Sequence, residues 1–175
     1  MRKIIVFCFV GFSLLINAQK GNTFPAVKGV TLDDKAAGLP MKNGKFSIIA
    51  IAFNRGAEDD LKKWLNPLYD NFMKKEKVGN FDMAEIYDVN FVFVPMIAGF
   101  KKIAEEFKSG TDKQFWPYIM DTEKTDVKEL QKQLGVDDNK IPYFFVVDKE
   151  GKIVEVQSGK FSDAKMEKLQ EAIEQ

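Results

Sequence analysis

Arg55 is the only arginine beyond residue 2, in a chain whose other cations are lysines. Its planar guanidinium is a fork of donors that grips a carboxylate or phosphate through two parallel hydrogen bonds, which the point charge of lysine does not do. The blander role for it is a solvated loop residue, or an ion pair with Asp59. Glu58, Asp59 and Asp60 follow closely. Consecutive carboxylates are potential metal ligands or paired acids. However, neighbouring helix positions point to different sides, and acids in a first helical turn are favoured by the helix dipole alone. Asp33-Asp34 and Asp137-Asp138 read as loop and turn residues.

Other chemistry is scarce. The chain has no histidine and one cysteine, Cys8. Zinc therefore lacks its usual ligands, and copper lacks a thiolate pair or a methionine cluster. No spacing matches an EF-hand, a dinucleotide-binding glycine loop or a P-loop, and serine hydrolysis lacks a histidine base. No cofactor and no metal is expected.

The first residues read as an address. Arg2 and Lys3 form a positive start, Ile4 to Ile16 an apolar stretch, and Ile16-Asn17-Ala18 ends in the small residue that a signal peptidase requires. The apolar stretch is shorter than the roughly 20 residues that span a bilayer. Residues 1–18 are thus expected to be a cleaved signal peptide and residues 19–175 one exported domain, periplasmic or extracellular, with no transmembrane segment after cleavage. Cys8 would leave with the peptide. Of the 26 basic residues only Arg2 and Lys3 lie in it, and it holds no acid, so 24 basic face 26 acidic side chains in the remainder. That balance gives no sign of nucleic acid. With no disulfide available, the domain depends on its core.

These residues are carried by alternating elements. An extended arm over 19–26 leads to a strand near Val27 to Leu32 and a loop, and Asn43-Gly44 turns the chain into Phe46 to Phe53. This near-continuous apolar run suits a strand covered on both faces. Leu61, Trp64, Leu65, Leu68, Tyr69 and Phe72 then fall on one helical stripe. Pro67 interrupts it at about 3 kcal/mol, and six large side chains at roughly 1.5–3 kcal/mol each outweigh that. A second buried strand covers Val89 to Val94, and a helix is predicted from Ile97 to Lys108. Trp116 to Met120 reads as a strand, and the next helix is capped by Thr125 and stopped by Gly135. Ile141-Pro142 then precedes a hairpin of Tyr143 to Val147 and Lys152 to Val156, and Ser162 caps a last helix.

This order, with the mid-helix Pro67 and the segment from Asn139 to Ile153, resembles the thioredoxin-like superfamily. The Phe24-Pro25 preface and N-terminal strand resemble its secreted TlpA-type and peroxiredoxin-like members. The resemblance implies an α/β fold of three layers, a central mixed sheet flanked by helices, with an N-terminal strand or hairpin extension. It also implies that Pro142 is the family's cis-proline, with the backbone of Ile141 offered to an extended substrate.

The family's Trp-Cys-x-x-Cys segment is replaced here by Asn54-Arg55-Gly56-Ala57-Glu58, with no sulfur nucleophile. Dithiol oxidoreductase activity is therefore not expected. Thioredoxin-like proteins similar to the assembly factor of mitochondrial ATP synthase also lack a dithiol and act on other proteins. Asn54, Arg55, Ile141, Pro142 and Tyr143 are the candidate partner-binding residues, with Trp116 and Tyr118 as further aromatic candidates. The expected function is an exported non-redox thioredoxin-like module that binds an envelope protein or peptide, of assembly or chaperone type, and not a dithiol oxidoreductase. The alternatives are a hydrolase or lyase built on carboxylates and lysines, and an accessory domain without a small ligand.

Overall fold

The run Phe46–Ala52 lies where an apolar strand covered on both faces belongs, between two neighbours at the centre of a sheet. In the computed structural model, residues 19–73, 77–78, 81–82, 87–95, 108–122 and 125–174 are described. In chain order the elements are β1 (Val27–Thr31), β2 (Ala36–Leu39), β3 (Phe46–Ala52), α1 (Arg55–Phe72), β4 (Lys77–Val78), β5 (Phe81–Asp82) and β6 (Val89–Pro95). A 3-10 helix (Lys113–Tyr118), β7 (Met120–Thr122), α2 (Val127–Gln133), β8 (Tyr143–Val147), β9 (Ile153–Ser158) and α3 (Asp163–Ile173) follow.

The four-stranded sheet runs β6-β3-β8-β9. Strand β6 is parallel to β3, and β8 and β9 are antiparallel to their neighbours. A second sheet, β2-β1-β7, is joined to β6 through a bridge between Phe93 and Ile119. The mixed sheet flanked by helices is the thioredoxin-like arrangement. On one face, Ile48, Ala50, Phe91, Phe93, Phe144 and Val146 pack against the stripe of α1 and against Met166 and Leu169 of α3. On the other, Ile49, Ile51, Val92, Phe145 and Val147 meet Phe24, Leu130 and Leu134. Strand side chains alternate between faces, so a run apolar at every position fills both cores.

Helix α1 continues through Pro67. Its stripe residues Leu61, Trp64, Leu68 and Phe72 are at most 2% exposed, and Asn71 Nδ2 donates to the Pro67 carbonyl at 2.7 Å. The arm is tied to the last hairpin, where Gly21 N and Phe24 N donate to the carbonyls of Ile153 and Gly151.

Several expectations are corrected. The loop after β1 contains strand β2. Residues 113–118 form a 3-10 helix, and the strand begins only at Met120, because Pro117 has no N–H for a ladder. Asp126, not Thr125, caps α2. Its carboxylate accepts from Lys128 N and Glu129 N, both at 3.1 Å, and a carboxylate is also favoured by the helix dipole there. Gly135 does end that helix, at φ 59°. Ser162 occupies the cap of α3 with its carbonyl bonded to Met166 N and its side chain making no capping bond. Of the helix predicted from Ile97 to Lys108, residues 97–107 lie outside the described residues, as do residues 1–18. Among the described residues no helix is long and apolar enough to cross a membrane.

Candidate functional site

The candidate residues come from two neighbouring chain segments. Strand β3 leaves the sheet at Ala52 and turns into α1 through Asn54, whose extended backbone (φ −157°, ψ 154°) places Oδ1 on Gly56 N at 2.7 Å. Asparagine is among the preferred residues at this position for that reason. Arg55 opens the helix and is exposed. A cation in the first turn opposes the helix dipole by a few tenths to about 1 kcal/mol.

Strand β8 is antiparallel to β3, and their last register pair is Ile51 with Tyr143. The residues just before Tyr143 therefore lie beside the exit of β3, and Asn54, Arg55, Ile141 and Pro142 share one edge of the sheet. Gly159 N donates to the Pro142 carbonyl at 2.8 Å, which turns that carbonyl towards β9. Ile141 lies at a bend just before the strand, and no hydrogen bond joins its amide or carbonyl to another described residue. Ile141 is half-buried.

The cis-proline expectation is corrected. Among the described residues the cis peptide bond is Leu39–Pro40, and Ile141–Pro142 is trans. Trans is the lower-energy isomer of an X-Pro bond by about 0.5–1 kcal/mol. Tyr143 is 8% exposed and packs with Phe145 in the core. Its hydroxyl accepts from Asp138 N at 3.3 Å, and burial pushes the phenol above its ordinary range. Trp116 is half-buried elsewhere, with the ammonium groups of Lys108 and Lys113 at 4.6 and 5.7 Å from its ring centre. Tyr118 is pushed up by burial.

Two of the three acids after Arg55 are occupied. Glu58 is 7% exposed and paired with Lys62 at 2.8 Å. Asp60 is held below the usual carboxylate range by its bond to Lys63, at 2.7 Å. Among the described residues no group of three metal-ligating side chains occurs. A cleft of about 390 Å³ is lined by Ala26, Lys28, Thr125, Asp126, Glu129 and Leu130, among others, and by none of the candidate residues. Asp121, the carboxylate that burial pushes upward, does not line it either. A Ser-x-x-Lys spacing, which serves some serine nucleophiles, occurs at Ser162 and Lys165. Here Lys165 Nζ is committed to the carbonyls of Ser158 and Lys160, at 2.7 and 2.9 Å.

With the edge so defined, the comparisons with known proteins decide the family. A family model described as ATP10 protein matches residues 7–175. The chain belongs to the ATP10 protein family. No curated protein matches. Among solved structures, this ATP10 family chain is similar to the thioredoxin domain of a thiol-disulfide oxidoreductase from Bacteroides vulgatus, at 20% identity and a TM-score of 0.62 over 88% of this chain and 97% of that one. It is similar to yeast Sco1 at 20% identity and a TM-score of 0.57, over 89% and 96%. StoA from Bacillus subtilis follows at 16% identity and 0.54, over 84% and 97%. At these identities the likeness is one of fold.

The residues missed in the sequence are Trp64, as a hydrogen-bond donor, and Gly159. Gly159 follows an amphipathic strand, a common place for a glycine. Its partners lie far away in the chain and leave no local signal.

Proposed function

We propose that this ATP10 family protein is an exported, non-redox thioredoxin-like module that holds an extended segment of an envelope protein during assembly. The reading is carried by the amide and carbonyl of Ile141, which bond to no other described residue, on the same sheet edge as Asn54 and Arg55. An extended segment adds to such an edge through main-chain hydrogen bonds, and Arg55 supplies a bidentate contact for a carboxylate on it. The family's name, together with the resemblance to the assembly factor of mitochondrial ATP synthase, supports a protein partner over a small-molecule substrate. The absence of a Cys-x-x-Cys pair from the sequence supports binding over thiol exchange, and residues 1–18 support export.

The carboxylate enzyme reading receives no comparable support, since the cleft and the raised carboxyl of Asp121 do not coincide. The test is crosslinking of the exported protein in envelope extract, with Arg55→Ala and Ile141→Pro compared with the unaltered chain. Proline at 141 removes the amide that the reading requires. The expected result is a discrete crosslinked protein that both substitutions weaken. Undiminished crosslinking with both would reject this edge as the binding face.

A further inference from the structure

Gly159 lies at the end of β9 in the left-handed region, φ 80°, where a residue without Cβ is favoured. Both of its backbone polar groups are in use. Its N–H donates to the Pro142 carbonyl at 2.8 Å, and its own carbonyl accepts the indole N–H of Trp64 at 3.1 Å. Trp64 is fully buried in α1, with its ring centre 4.1 Å from that of Phe144 and 5.1 Å from that of Phe161. A buried indole N–H requires an acceptor. Here the acceptor belongs to the one residue that also fixes Pro142.

We propose that Trp64 is a positioning residue for the Ile141 edge. Its indole N–H holds Gly159, Gly159 holds the Pro142 carbonyl, and that carbonyl anchors the chain next to Ile141, whose amide and carbonyl bond to no other described residue. The inference rests on the reading of Ile141 as the contact point. Glycine at this position has a broad choice of conformations, so a donor on its carbonyl narrows that choice. Lys165 fixes the carbonyls of Ser158 and Lys160 on either side, so the turn remains folded when the indole donor is removed. Trp64 thus orients the site without touching the partner.

The test uses reduced, carbamidomethylated ribonuclease A as the probe, an unfolded chain with no free thiol. Binding is measured for the unaltered protein, Trp64→Phe and Phe161→Leu, together with amide hydrogen exchange at Gly159. Trp64→Phe removes the donor, whereas Phe161→Leu removes ring packing on Trp64 and keeps it. The expected result is binding weakened roughly 2- to 10-fold in Trp64→Phe, the worth of one hydrogen bond, with faster exchange at Gly159 and neither change in Phe161→Leu. Unchanged binding in Trp64→Phe overturns the inference. So does an equal loss in Phe161→Leu, which makes the indole a packing element only. No binding by the unaltered protein overturns the Ile141 reading and this inference with it. Should Trp64→Phe fail to fold, replacement of the indole by a benzothiophene of the same shape gives the same readings.

Discussion

Ile51 and Tyr143 face each other at the last register position between β3 and β8. Beyond that pair the two chains part, one into α1 through Asn54 and the other back through Pro142 and Ile141. The gap between them holds the amide and carbonyl of Ile141, which bond to no other described residue, beside an arginine at a helix start, and the binding reading stands on this.

Arg55→Ala tests the side chain. It should weaken partner capture while shifting stability by less than about 0.5 kcal/mol, the usual range for an exposed substitution. Chemical denaturation beside the crosslinking assay checks both. A large loss of stability would place Arg55 in the structure instead of the binding surface.

Pro142→Ala tests the main chain. The bond is trans and the Gly159 contact uses the Pro142 carbonyl, which alanine retains. The expected cost is about 0.4–1 kcal/mol, from the looser unfolded chain. A loss of about 2.5–4 kcal/mol in urea unfolding, the cost of a non-proline cis bond, would contradict the trans assignment.

Gly29→Ala tests the junction of the two sheets. A Cβ there would collide with the Asp121 carbonyl oxygen and come within 2.9 Å of Met120 Cγ. Backbone on a paired strand gives little, so a destabilisation of about 1–3 kcal/mol or more is expected. A melting temperature equal to that of the unaltered protein would show that β1 can move away from β7 at no cost.

Tyr87 links the lead-in of β6 to the end of α3. Its hydroxyl donates to Glu174 at 2.7 Å, and the bond to that carboxylate, with burial second, pushes the phenol up to about 12 from its ordinary 10.0. A raised folded value means that the contribution is fully present below pH 10 and is lost as pH rises through about 12. Stability of the unaltered protein should therefore fall between those limits more steeply than that of Tyr87→Phe. Parallel curves in alkaline denaturation would remove this pair from the account.

Maturation is checked by intact mass of the exported form. The expected N-terminus is Gln19, and the expected thiol content is zero, since Cys8 precedes it. Such a form should not reduce insulin in a dithiol-linked assay. A mass that includes Met1, or insulin reduction above a buffer control, would contradict the proposal.

Much of this architecture is local information. The apolar run of β3, the helical stripe across Pro67, the glycine after α2 and the hairpin of β8 and β9 are visible in the sequence because burial imposes a period on the residues that form them. Arg55 was legible as a lone guanidinium, and the missing dithiol as a missing residue type. What the tertiary structure decided is the meeting of distant residues and the states that such meetings select. Trp64 meets Gly159, Gly29 meets Asp121, and Ile141–Pro142 is trans. A propensity belongs to one residue and its neighbours. A hydrogen bond across 95 positions belongs to the packed fold and leaves no period in the chain.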